Sequence, residues 1–394
     1  MIETHASTTG ATLDGATLQD AAETYGTPLY VYDLDRVGVQ VERLRRAFPD
    51  AELFYAVKAN PCGAVLRHLA TLGLGAEVIS EGELARARRA GFAPERILLG
   101  GPRQDVGLVE AAQAAGVGWV SLDSLSQAEV WAAQPGAVRF LVRLNPALDP
   151  RTHEHLATGA ATSKFGLAFG ETVRVAELLG DKLTGFHVHI GSQIAEVEVY
   201  DEVFRQLDLL LERFPQVRTL DLGGGFAVPD FPLEAFAKKV GAFVGTRQLL
   251  LEPGRFLVAE SGALLTRVLH VKPGPVKHVI CDAGMADLLR PALYGARHPL
   301  RALGKEPSEN GLTEVVDVDG PLCENADRLG RGVALPEVTP GDLLAVDEAG
   351  AYGLSMSSHY ASSLRPAEVV LERGEIRLVT ERERVEDLWR LERD

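Results

Sequence analysis

Between residues 52 and 255, eight short apolar runs alternate with helix-like stretches, and this regular beat constrains the fold more than any other feature. The runs are ELFYAVK (52–58), AEVIS (76–80), RILLG (96–100), GWVSLD (118–123), VRFLVRL (138–144), GFHVHIG (185–191), TLDLGG (219–224) and LLLEPG (249–254). Their β-branched or leucine-rich centres suit strands covered on both faces. Segments between them, such as GELARARRAG (82–91) and SQAEVWAAQPG (126–136), have helical composition and end near glycine. Eight strand–helix units predict a closed (β/α)8 TIM-like barrel with its chemistry at the C-terminal strand ends. An open doubly wound sheet is the rival, but the first Gly-rich run lacks the G-x-G-x-x-G spacing of a dinucleotide fold. Glycine at any one strand end is ordinarily a tight turn; its spread over many strand ends favours the barrel.

After about residue 270 the texture changes. VKHVICDAG, TEVVDVDGPLC, GDLLAVDEAG, AEVVLERG and EIRLVTERE read as strands joined by Gly, Asp and Pro turns. They predict a mainly-β, Greek-key-like domain over 271–394, after a barrel over 34–270, with the N-terminal segment 1–33 joining the β domain. The formal charge of −15 leaves no broad basic stripe for a nucleic-acid backbone. No run approaches the ~20 apolar residues that span a bilayer. The first twenty residues are polar and acidic where a secretory signal is basic and then apolar, so a cytoplasmic location is expected. Cys62, Cys281 and Cys323 are widely separated, which argues against a disulfide framework and a cysteine-rich zinc site, and no metal is expected.

Lys58 closes the first barrel run, within YAVKANP. A lone lysine usually joins a salt bridge or snorkels to solvent. At a strand end of this barrel, its amine can instead hold pyridoxal phosphate as an imine. Three later segments supply what that cofactor needs. In HVHIGSQ, His189 can pack on the ring and Ser192 can meet the phosphate; in DLGGG, Gly223, Gly224 and Gly225 let backbone N–H groups approach an anion. In EPGR, Glu252 can face the ring nitrogen, and Arg255 offers a planar fork to a carboxylate. Taken singly, a core histidine, a capping glutamate and a surface arginine explain each of them. RPALY adds Arg290 and Tyr294, GPLCENAD adds Cys323, Glu324 and Asp327, and GAYGLSMSSHY adds Tyr352. Together they offer a proton donor, an acid for an ammonium, an arginine for a carboxylate and aromatic walls, a set that suits a zwitterionic amino acid.

YAVKANP, TGAATSKFG, HVHIGSQI, DLGGGF, EPGR, RPALYGARH, GPLCENAD and GAYGLSMSSHY run through nearly the whole chain. In these segments it resembles the fold-type III (alanine-racemase-like) pyridoxal-phosphate decarboxylases, above all those acting on meso-2,6-diaminopimelate. The resemblance implies a carbon–carbon lyase that releases carbon dioxide and L-lysine, and a head-to-tail homodimer with shared active sites. It implies Lys58 as the Schiff-base lysine, His189 on the ring and Glu252 at its nitrogen. Ser192, the glycines 223–225, Gly254 and Tyr352 would bind phosphate, with Arg255 also beside the cofactor. Arg255, Arg290, Tyr294 and Tyr352 would bind substrate. Cys323, the proton donor, and Glu324, facing the distal amine, would come from the partner subunit. Departures from the common pattern are Glu77 in place of a shorter aspartate, GGPRQD without a lysine, and SSHYASSLRP without an asparagine. Decarboxylases of ornithine, arginine, lysine or carboxynorspermidine are the neighbouring alternatives, and a noncatalytic cofactor carrier is the alternative of another class.

Overall fold

The computed structural model describes residues 13–134, 136, 138–148, 163–305 and 313–393; residues 158–162 of TGAATSKFG lie outside that set. The chain divides into two compact units, Gly38–Leu257 and Met1–Val37 with Val258–Asp394. In chain order the first described strand, β1 (Leu29–Asp33), belongs to the second of these units.

The first unit is a closed parallel barrel of β2 (Glu52–Ala56), β3 (Gly75–Val78), β4 (Ile97–Leu99), β5 (Trp119–Leu122), β6 (Arg139–Arg143), β7 (Leu183–His187), β8 (Thr219–Asp221) and β9 (Gln248–Leu251). Each apolar run overlaps one strand, with β3, β7 and β9 starting one or two residues ahead of theirs, so the expected barrel is present. Phe54, Leu98, Trp119, Leu141 and Leu250 fill its interior, with Phe54 and Trp119 meeting edge to face at 6.4 Å between ring centres. A barrel plugged this way is a packed core, and it leaves reactive chemistry to the rim.

Short connections build the rim. Ser80, Asp105 and Ser124 each cap the following helix by accepting from the backbone N–H of Glu83, Leu108 and Gln127. The helices Glu81–Ala90 and Val106–Ala115 then stop at Gly91 and Gly116, both left-handed. Some strands end sooner than their apolar runs. β2 stops at Ala56, and Lys58 lies in a 3-10 turn, Val57–Ala59. The Asn60 carboxamide accepts from the Cys62 N–H at 2.9 Å, and the Tyr55 hydroxyl donates to the Asn60 carbonyl at 3.0 Å. Pro61, which has no N–H, follows Asn60, so the ladder cannot continue.

The second unit is a β-rich mixed sheet. Its strands are β1, β10 (Gly262–Lys272), β11 (Lys277–Cys281), β12 (Leu300–Ala302), β13 (Glu314–Asp319), β14 (Arg328–Leu335), β15 (Leu343–Val346), β16 (Ala367–Glu372) and β17 (Glu375–Thr380). Their order is β14-β13-β11-β10-β1-β16-β17, with β15 on β10 and β12 on β15. Strand β1 runs antiparallel to β10 and parallel to β16. The helix Gly15–Tyr25 buries Leu18, Ala21 and Ala22 in one cluster with Leu29, Leu265 and Val369. Among the described residues no helix is long and apolar enough to cross a membrane.

Candidate active site

Adjacent rungs of the barrel ladder assemble the rim chemistry. Ala56 pairs with Glu77 across β2 and β3, and Lys58, two residues further on, donates through Nζ to Glu77 Oε2. The side chain of Glu77 is 4% exposed and that of Lys58 37%, so a buried carboxylate holds an amine that still reaches the open. The length of Glu77, notable in the sequence, is what spans this gap. Glu83, in the first turn of the next helix, accepts from the Ile79 N–H at 2.8 Å. Burial, and then the charge of Glu77, push its carboxyl up to about 7.

Across the barrel, Arg143, His187 and Asp221 occupy paired positions on β6, β7 and β8. Arg143 forms a buried ion pair with Asp123 at 3.3 Å, and Asp123 accepts from the Gly166 N–H at 3.0 Å. His187 Nδ1 lies 2.6 Å from Ser121 Oγ. Burial, followed by the Arg143 charge, holds His187 well below the ordinary histidine range. The same two causes bring His189 down to about 3, with Lys58 adding to them. The Gly224 N–H donates to His189 Nδ1 at 3.2 Å, which makes that nitrogen the acceptor and puts the ring proton on Nε2. His189 is therefore a neutral ring of fixed tautomer.

Glu252 follows β9 and is buried. Its Oε1 stands 3.7 Å from His187 Nε2, beyond hydrogen-bond range, and no N–H or O–H of the described residues donates to it. Burial raises the Glu252 carboxyl well above its usual value; the charges of Asp221 and Glu77 add to this and Lys58 opposes it. A buried oxygen with an unfilled acceptor site fits the protonated nitrogen of a pyridine ring. His187, Asp221 and Glu252 also offer ligand atoms within 4.8 Å of one another, the spacing of a cation site. A ring better accounts for Lys58 and the glycine run, neither of which a metal ion requires.

The glycines set how closely these segments approach. A Cβ on Gly224 would fall on the Glu252 carbonyl oxygen, and one on Gly223 would lie 2.7 Å from His189 Nδ1. Gly223 and Gly225 are left-handed, at φ 66° and 92°. The Gly223 N–H donates to Asp221 Oδ1 at 2.8 Å, so this amide and that of Gly224 brace the rim itself. A Cβ on Gly254 would sit 3.1 Å from those of Ala56 and Ala59, so its absence lets EPGR pack on the Lys58 turn. Arg255 Nη2 donates to Ser192 Oγ at 3.2 Å. Lys58, His189, Ser192, Gly223, Gly224, Gly225, Glu252, Gly254 and Arg255 thus share one rim.

Arg290, Tyr294, Cys323, Glu324 and Tyr352 belong to the second unit. Arg290 opens the helix Arg290–Tyr294, with Nη1 3.0 Å from His298 Nε2. Tyr294 is 66% exposed, and Cys323 is an exposed free thiol. Tyr352 has a left-handed backbone at φ 56°, uncommon for an aromatic residue. Buried Asp327 accepts from the Met285 N–H at 2.5 Å and the Leu322 N–H at 2.6 Å, fixing the turn that carries Cys323 and Glu324. Sequence reasoning assigned no role to Arg143, Asp123, Asp221 or Glu83. Arg143 had a usable signal, a cation at the end of an apolar run, as Lys58 is.

A barrel whose rim joins a lysine, a neutral histidine, a glycine run and a donor-seeking glutamate defines a pyridoxal-phosphate enzyme. Residues 34–259 match the family described as pyridoxal-dependent decarboxylase, pyridoxal binding domain. A diaminopimelate decarboxylase of Deinococcus radiodurans is 44% identical, over 95% of this chain and 98% of that one. The crystal structure of a diaminopimelate decarboxylase from Helicobacter pylori complexed with L-lysine superposes at a TM-score of 0.86, with 33% identity, covering 95% of this chain and 99% of that one. A lysine/ornithine decarboxylase from Vibrio vulnificus, 23% identical with a TM-score of 0.80 over 91% of this chain and 98% of that one, shares the fold. The chain belongs to the pyridoxal-dependent decarboxylases, in the diaminopimelate decarboxylase family.

Proposed function

We propose that the protein decarboxylates meso-2,6-diaminopimelate to L-lysine and carbon dioxide with pyridoxal 5'-phosphate. The reading is carried by Lys58 sharing a rim with a buried Glu252 whose Oε1 has no donor. When bound, the cofactor supplies an electron-withdrawing ring that accepts the pair left behind as carbon dioxide departs. Lys58 would hold it through Nζ, Glu252 would accept from the ring nitrogen, and neutral His189 would cover one ring face without competing for that proton. Ser192, Gly223, Gly224, Gly225, Gly254, Arg255 and Tyr352 would surround the phosphate.

The chain's remaining residues select and finish the reaction. Arg255, Arg290, Tyr294 and Tyr352 would bind substrate carboxylate, and Glu324 the distal ammonium. Cys323, exposed, would return a proton to the carbon that lost its carboxylate. In a head-to-tail homodimer, Cys323 and Glu324 of one protomer would serve the barrel of its partner. A basic substrate without a distal carboxylate would leave part of this arginine set unused, which favours diaminopimelate over ornithine, arginine or lysine.

The deciding experiment offers cofactor-loaded protein the meso, LL and DD forms of diaminopimelate beside ornithine, arginine and lysine, and measures product identity and stereochemistry. Rapid release of carbon dioxide and L-lysine from the meso form alone is expected. Faster turnover of L-ornithine would move the assignment to a diamine-forming enzyme. No turnover across the panel at full cofactor occupancy would make the protein a carrier.

A further inference from the structure

Tyr360 lies in the segment SSHYASSLRP, and it has no part in the mechanism above. Its hydroxyl donates to Glu324 Oε2 at 2.6 Å, a contact between residues 36 positions apart. Both partners are exposed, so no burial forces them together.

The turn that presents this tyrosine is built at some cost. Ala361 and Ser362 both adopt left-handed backbone, at φ 52° and 58°, although neither is glycine. Anchors hold the turn on both sides. The Ser358 N–H donates to the Ala286 carbonyl at 2.9 Å, His359 Nε2 lies 2.7 Å from Glu383 Oε2, and the Arg365 N–H donates to that same oxygen at 2.9 Å. On the other side of the contact, Asp327 fixes the turn that carries Glu324, and the Asp327 N–H donates to the Glu324 carbonyl at 3.0 Å. Two braced turns therefore meet through one hydrogen bond between side-chain tips.

From this geometry we propose that Tyr360 is a positioning residue for substrate specificity, locking Glu324 in the rotamer that receives the distal ammonium of the substrate. The proposal rests on the assignment of Glu324 to that ammonium. A free glutamate on a surface turn samples many rotamers, and each binding event must select one. A donor on Oε2 removes that freedom beforehand and leaves Oε1 for the ligand. The carboxylate beside it raises the Tyr360 phenol above its usual range, so the group remains a donor throughout the working pH range.

The test compares wild type with Tyr360→Phe, Glu324→Gln and the double variant, all cofactor-loaded. For each it measures kcat and KM for meso-diaminopimelate and the competitive inhibition constant of D-2-aminopimelate, which lacks the distal amine. Tyr360→Phe removes one oxygen from an exposed ring, and an unchanged thermal midpoint verifies the fold. We expect Tyr360→Phe to raise KM about 5- to 20-fold with kcat within about twofold of wild type. Its inhibition constant for the aminopimelate should be unchanged, and it should add nothing in the Glu324→Gln background. If Glu324→Gln fails to narrow the preference for diaminopimelate over aminopimelate, the Glu324 assignment itself falls and this proposal falls with it. If Glu324→Gln narrows it and Tyr360→Phe does not, the assignment stands and the proposal is wrong. A fall in kcat at constant KM would place Tyr360 at the Cys323 proton transfer and would likewise overturn it.

Discussion

Lys58 works among acids. Glu77 holds its amine, Glu83 feels the charge of Glu77, Glu252 follows the neighbouring strand β9, and Asp221 ends β8 beside it. Crowding carboxyls in a buried place keeps some of them protonated, and Glu83 shows the consequence most plainly. Its carboxyl is raised from 4.5 in the unfolded chain to about 7 in the fold, so the native state binds the extra proton between those values. The stability this contributes is complete below 4.5 and is lost as pH rises through 7. Glu83→Gln keeps an oxygen for the Ile79 N–H and removes the titration. Chemical denaturation should show the variant more stable than wild type at pH 8 by up to about 3 kcal/mol, with the difference gone near pH 4.5. A constant difference across that range would mean that Glu83 ionises as it would in water.

At the scale of elements, the rim depends on how closely three chain segments approach. Gly224 is where the loop after β8 passes the Glu252 carbonyl, with no room for a methyl group. Gly224→Ala should push the two apart, at about 1–3 kcal/mol, and weaken cofactor binding about tenfold or more in equilibrium titration. Unaltered affinity would show that the loop relaxes without disturbing Glu252. The glycines and the apolar beat of the barrel are legible in sequence because both report local geometry: period, turn and strand end. β14 was hidden because Gly330 and Gly332 dilute its pattern. The Arg143–Asp123 pair and the Tyr360–Glu324 bond join distant positions, and no local period announces them. Lys58 was placed at a strand end correctly but in the wrong local conformation, since the Asn60 turn that ends β2 depends on side-chain hydrogen bonds.

For the whole molecule, the proposed homodimer makes a quantitative demand. Lys58→Ala and Cys323→Ala chains, each inactive alone, should recover about a quarter of wild-type turnover when unfolded together and refolded in equal amounts. Half of the dimers would then be mixed, with one of two sites intact in each. Mixed dimers verified by native mass spectrometry but lacking activity would exclude the shared site.

Strand β1 imposes an order on biosynthesis. Leu29 lies between Leu265 on one side and Ala367 on the other. A ribosome therefore delivers this strand long before either neighbour exists, while the whole of Gly38–Leu257 can close on itself in the meantime. The nascent chain carries the ribbon LYVYD without a partner until β10 emerges behind the barrel, and without its second neighbour until β16 follows, an early client for whatever shields unpaired strands in the cell.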